Sequence, residues 1–177
     1  MIKYIIVLFI IPFVGFSQEK EEVNIWQPLE FLIGSWIGDE TGKAGIGKGE
    51  RTYQYIMNKK YIKMENVSRF EPQEKNPNGE THEDLTIFSR NENRNLFVIR
   101  QFNIEGFVNT FVLDTLKSDN RNFVFVSESS ENSPEGLRAR LTYKISNKDE
   151  FTEFFELAFP EKEFEIWLRN FWRRNRN

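Results

Sequence analysis

The 177-residue chain has no cysteine and only one histidine, His82. Without cysteine there is no disulfide, no thiolate metal ligand and no thiol nucleophile. With a single histidine, a Ser–His–Asp arrangement has one place to form, and no serine lies in a Gly-x-Ser-x-Gly elbow to meet it. Positive charge is not in excess either. The formal net charge is -3, so nucleic acid is not an expected partner. The arginines of the C-terminal tail, Arg169, Arg173, Arg174 and Arg176, read as a solvated terminus. No apolar run is long enough to cross about 30 Å of hydrocarbon comfortably.

The one apolar run, Tyr4 to Phe16, follows Lys3 and ends in Gly15-Phe16-Ser17 before a polar stretch. That layout predicts a secretory signal peptide over 1–17. Export ends in the periplasm or outside the cell, and no integral membrane span remains after cleavage. A junction without cysteine is not a lipoprotein junction. Residues 18–27 read as a flexible leader.

Aromatic residues make up 15% of the chain, with 18 phenylalanines. Aromatic and β-branched side chains suit strands, and strand-like runs recur at about 35–40, 48–57, 60–70, 82–90, 95–102, 106–114, 122–128, 136–145, 151–158 and 163–173. Turn residues separate them, as in Asn58-Lys59-Lys60 and Ser133-Pro134-Glu135-Gly136. No connection is long enough for a crossover helix. Pro28 and Gly34 bracket a short helical turn before the first strand. The pattern predicts one all-β domain over 28–174, an antiparallel up-and-down barrel of about ten strands. Leu137, Ala139, Leu141, Tyr143 and Ile145 alternate with polar residues and mark an inner face, as do Phe151, Phe155 and Leu157. In the last strand Phe164, Ile166 and Leu168 oppose Glu165, Trp167 and Arg169.

The stretch Glu30-Phe-Leu-Ile-Gly-Ser-Trp-Ile-Gly-Asp-Glu-Thr-Gly-Lys-Ala-Gly-Ile-Gly-Lys-Gly-Glu50 is rich in glycine. A phosphate-binding loop requires Gly-Lys-Ser/Thr opening a helix. Here Gly47-Lys48 leads to Gly49-Glu50 and a strand. The glycines therefore read as a strand end and a flexible turn, or as a mobile portal over a cavity.

Gly34-Ser35-Trp36 at the first strand, after a helical turn, resembles the opening of lipocalin-like (calycin) barrels. Leu32-Ile-Gly-Ser-Trp-Ile-Gly38 resembles secreted bacterial lipocalin-like domains of unknown function and, more distantly, nitrobindin-like haem-binding barrels. Arg100-Gln-Phe-Asn-Ile-Glu-Gly-Phe-Val-Asn109 and Pro134-Glu-Gly-Leu-Arg-Ala-Arg140 look like segments of the same group. The resemblance implies that Trp36 closes the base of the barrel, with Arg169 or Arg173 packed across it. It also implies a small, largely apolar ligand in the barrel.

For that ligand the expected lining is Tyr53, Met64, Arg100, Asn109, Phe111 and Tyr143. An even-length loop in the hairpin around 103–106 puts Arg100 and Asn109 on one face. A buried guanidinium needs a partner. For Arg100 that partner is a ligand carboxylate, a protein glutamate such as Glu50 or Glu65, or solvent, and the inward side of this strand stays open. His82 reads as a solvated loop residue or a cavity ligand. The nitrobindin-like resemblance places a haem ligand near the C-terminus, where 164–173 has no histidine; tyrosine is the other iron ligand on offer. No cofactor and no metal are expected, haem being the alternative. The leading expectation is non-catalytic binding. A barrel used as an enzyme and a filled barrel serving as a structural module of the cell envelope are the other readings, and oligomeric state is open.

Overall fold

The structure is a computed structural model and describes residues 24–176; the expected signal peptide, 1–17, and most of the stretch read as leader lie outside the described residues. A 3-10 helix, Gln27–Leu32, precedes ten strands. These are β1 (Gly34–Gly42), β2 (Gly45–Ile56), β3 (Tyr61–Phe70), β4 (Glu80–Asn91), β5 (Leu96–Asn103), β6 (Val108–Leu113), β7 (Asn122–Glu131), β8 (Arg138–Asn147), β9 (Glu150–Ala158) and β10 (Glu165–Asn175). Each pairs antiparallel with its sequence neighbour, and β10 returns to pair with β1, which closes the sheet into a barrel. Closure leaves no strand edge to aggregate. The all-β, antiparallel barrel expected from the turn spacing is the fold observed.

The glycine stretch is not a loose turn. β1 and β2 run through it and meet at the two residues Lys43 and Ala44. Alternate residues of a strand face inward, and on β2 those are Gly45, Gly47, Gly49, Arg51 and Tyr53. Gly38 on β1 pairs with Gly49 on one side and with Trp172 of β10 on the other. A Cβ at Gly38 would come within 2.7 Å of the Trp172 ring, and one at Gly47 within 2.6 Å of Phe70. The glycines leave room for two large rings inside the wall.

One end of the barrel is filled. The 3-10 turn lies beneath it and buries Leu29 and Leu32, with the Trp26 ring stacked on Phe97 at 5.5 Å. Trp26 is 1% exposed, so the packed fold begins within the stretch read from sequence as leader. Phe151 is the hub of the aromatic packing: Trp36 lies 4.8 Å away, Tyr143 5.7 Å, Phe31 5.9 Å and Trp172 6.3 Å. Each such pair adds about 0.5–1.5 kcal/mol beyond area burial.

Trp36 is buried in this end, and the arginine over its ring is neither Arg169 nor Arg173. Arg174 stands 4.4 Å over its ring and donates to the carbonyls of Phe31 and Ile33, both at 2.7 Å. Arg173 pairs outside with Asp39, and Arg169 lies over Phe154. The inward parity of β10 is even (Leu168, Asn170, Trp172, Arg174), in step with the inward residues of its two neighbours: Trp172 pairs with Phe151 on β9 and Arg174 with Trp36 on β1. A register shift between Ile166 and Leu168 sets that parity. Ile166 is therefore exposed, contrary to the simple alternation read for this strand. Arg174→Ala is expected to lower the unfolding free energy by about 2–3 kcal/mol, since carbonyls lose donors and the indole loses its cation. Arg169→Ala and Arg173→Ala are each expected to cost about 0.5 kcal/mol. Urea midpoints of the three variants check this.

Candidate functional site

The other half of the barrel holds a cavity of 390 Å³. The filled half forms its floor, and its mouth lies among the β1–β2, β3–β4, β5–β6, β7–β8 and β9–β10 connections. Its lining is two-sided. Leu137 just before β8, with Leu141, Phe155, Leu157 and Leu168 on β8, β9 and β10, makes an apolar wall. The facing wall, on β1 to β6, carries carboxylates, amides and a guanidinium.

Arg51 anchors the polar wall. It is 5% exposed and lies 4.1 Å over the Trp172 ring. Its guanidinium forms a two-point ion pair with Glu153 across the barrel. It also donates to Asn66 Oδ1 at 3.0 Å and Tyr53 Oη at 3.2 Å. Burial works against its charge, and the Glu153 carboxylate beside it more than restores it. Asn66 carries the network onward, donating to Ser68 Oγ at 3.0 Å and Asp84 Oδ2 at 3.3 Å. Asp84 accepts from Asn103 at 2.6 Å. Asn109 continues the belt, accepting from Ser130 Oγ at 2.6 Å.

His82 is not a loop residue. It stands on β4 and lines the cavity mouth. Its Nε2 is 3.1 Å from Asp84 and its Nδ1 2.7 Å from Glu105. The hydrogen bond to Asp84 leads a shift of its pKa up to about 9, against the effect of burial.

Glu40 differs from the other buried carboxylates. It is 1% exposed, and Ser68 Oγ donates to it at 2.8 Å. No cationic side chain among the described residues lies within 4.0 Å of it, whereas Glu153 has Arg51 and Asp84 has His82. Burial pushes its carboxyl up to about 7, against the hydrogen bond from Ser68. Beside it on the adjacent strand is Asn170, whose Nδ2 donates to Glu153 at 3.2 Å. The Asn170 Oδ1 is buried with no hydrogen-bond partner.

Of the six expected ligand contacts, Asn109 lines the cavity. Tyr53, Met64, Phe111 and Tyr143 belong to the packed floor. Arg100 points outward and donates to Ser89 Oγ at 3.1 Å. The reason is the hairpin: Phe102 pairs with Val108 and Arg100 with Thr110, so the connection 103–107 has an odd length and even residues match even ones. Phe97, Ile99 and Gln101 are the inward set. Sequence reasoning missed Glu40, Arg51, Asn66 and Glu153. Each occupies an inward position in an alternating run, such as Glu153 between Phe151 and Phe155, and a lone charge at that parity is the available signal.

Haem, implied by the resemblance above, does not fit this donor set. Both ring nitrogens of His82 are engaged by carboxylates, which favour the protonated ring. Tyr53 and Tyr143 are buried in the floor, where burial pushes the Tyr53 hydroxyl up to about 12 and that of Tyr143 well above its ordinary value.

No protein-family model matches the sequence, and no curated protein matches it. Among solved structures, the fold is similar to that in the crystal structure of Rv2717c from M. tuberculosis. The TM-score is 0.66 at 15% identity, over 86% of this chain and 98% of the other. At that identity the likeness establishes a shared barrel fold.

Proposed function

We propose that the chain is an exported binding protein that holds a small molecule with a largely apolar body in the open half of its barrel, without catalysis. The observation that carries this reading is the two-sided cavity of 390 Å³, a volume in the range of small-molecule sites. The apolar wall of β8, β9 and β10 suits the body of such a molecule, and the polar wall suits an oriented head. Arg51 and Glu153 satisfy one another, which supports a prepared surface rather than a pair of reactive groups. With Arg100 on the outside and Arg51 already paired, a ligand carboxylate has little to recommend it as that head. Residues 1–17 would supply the export signal.

A neutral fluorescent dye, N-phenyl-1-naphthylamine, tests the reading. The folded protein is expected to take it up one to one, with a dissociation constant on the order of 1–10 μM. Ala139 lines the cavity; Ala139→Trp is expected to fill the space and weaken uptake by about tenfold or more. Leu157→Trp serves as a second filling variant. Equal uptake by all three proteins, or none by the parent, would leave a filled-barrel structural module as the better description.

A further inference from the structure

We infer that the head group of the bound molecule is a cationic hydrogen-bond donor, a protonated amine, seated between the Glu40 carboxylate and the Asn170 amide oxygen. This assignment rests on the binding reading above and adds the ligand's chemical class.

Three independent observations meet here. The first is charge count inside the barrel. Asp84 and Glu153 each have a cationic partner, and Glu40 has none within 4.0 Å among the described residues. A buried carboxylate without a counterion is costly, and a ligand cation removes that cost. The second is an orphan acceptor. Asn170 is 3% exposed, lines the cavity and pairs directly with Glu40 across β1 and β10. Its orientation is fixed by donation to Glu153, so Oδ1 is the atom left over. Carboxylate and amide oxygen both accept, so the complementary group donates.

The third is the field at the mouth. The connections there carry Glu71, Glu74, Glu105, Glu135, Glu161 and Glu163 against Lys43, Lys75 and Lys162. The connections at the filled end carry Lys59, Lys60, Arg94, Lys117, Arg121 and Lys148 against Glu92, Asp114, Asp119 and Asp149. An entrance biased to negative charge raises the local concentration of cations. The apolar wall then takes the rest of an amphipathic amine.

The test is displacement of N-phenyl-1-naphthylamine by three probes of matched length: octylammonium, octan-1-ol and octanoate. Octylammonium is expected to bind about tenfold or more tightly than octan-1-ol, the scale of a charge-assisted hydrogen bond, and octanoate most weakly. Glu40→Gln should abolish the preference of the amine over the alcohol. Asn170→Leu should weaken the amine several-fold.

In the parent protein, amine affinity should rise between pH 6 and 8, as Glu40, pushed up to about 7, gives up its proton. The groups facing Glu40 are Arg51 on β2, Ser68 on β3, Asp84 on β4, Glu153 on β9 and Asn170 on β10. His82, held near 9, stays charged across that window. If Glu40→Gln does not fold, Asn170→Leu and the pH profile decide. Equal displacement by alcohol and amine, or tighter displacement by octanoate, overturns the amine assignment and leaves the binding reading standing. Absence of dye uptake overturns both.

Discussion

Arg51→Leu is expected to lower the unfolding free energy by about 3–5 kcal/mol. The loss comes less from the missing attraction than from what stays behind. Glu153 is 4% exposed, and its remaining polar contact is Asn170 at 3.2 Å. Leucine also strips a cation from the Trp172 face and donors from Asn66 and Tyr53. Against a typical domain stability of about 5–15 kcal/mol, this single change brings the fold close to its limit. Removing the second charge as well, in Arg51→Leu with Glu153→Leu, should return roughly half of the loss, because two apolar side chains leave no buried ion unpaired. Urea unfolding of the parent, both single variants and the double variant closes the cycle. Equal stability of parent and Arg51→Leu would mean that the guanidinium is not the anchor of the polar wall.

The opposite sign is expected at Glu40. Glu40→Gln should stabilise the ligand-free protein by about 2–3 kcal/mol at pH 8 and have almost no effect at pH 4. The folded carboxyl titrates at about 7, above its ordinary 4.5. Below 4.5 both folded and unfolded chains hold the proton, so the group contributes no pH dependence. Between 4.5 and 7 the unfolded chain has released its proton while the folded chain keeps it, and stability falls as pH rises. Above 7 the penalty is constant. Glutamine stays neutral and escapes it, while its amide finds an acceptor in Asn170 Oδ1. Stability measured by denaturant at pH 4, 6 and 8 checks the prediction; parallel profiles for the two proteins would contradict it. A residue that weakens its own fold at neutral pH, with a serine hydrogen bond and no cation within 4.0 Å among the described residues, is more at home in a binding site than in a scaffold.

Those two positions show what the chain disclosed before its structure was known and what it withheld. Ten runs with turns between them gave the barrel, because short connections leave antiparallel neighbours as the only pairing and a sheet of that size closes its edges. Strand β8 was readable face by face, since Leu137 to Ile145 alternate with polar residues throughout. The site was harder. Parity on β5 hung on whether one hairpin loop is odd or even, and that single residue moved Arg100 from the lumen to the surface. On β10 a register shift near Trp167 put Ile166 outside, and Arg174, in step with Leu168 and Trp172, is the arginine that stands over Trp36. The glycines of β1 and β2 looked like a turn because the rings they accommodate, Phe70 and Trp172, are distant in sequence. Glu153 on β9 is likewise distant in sequence from Glu40 and Arg51 on the β1–β2 hairpin, and barrel closure brings it to them. What decides the interior is contact across the lumen, which local pattern does not record.

The central claim is that the open half of this barrel is a container. Native mass spectrometry of the protein purified from the organism that encodes it tests this most directly. The account predicts a mature chain carrying one small-molecule adduct, released on collisional activation and absent from Ala139→Trp prepared in the same way. A bare chain mass from the native source, together with failure to form a one-to-one complex with added dye, would contradict it.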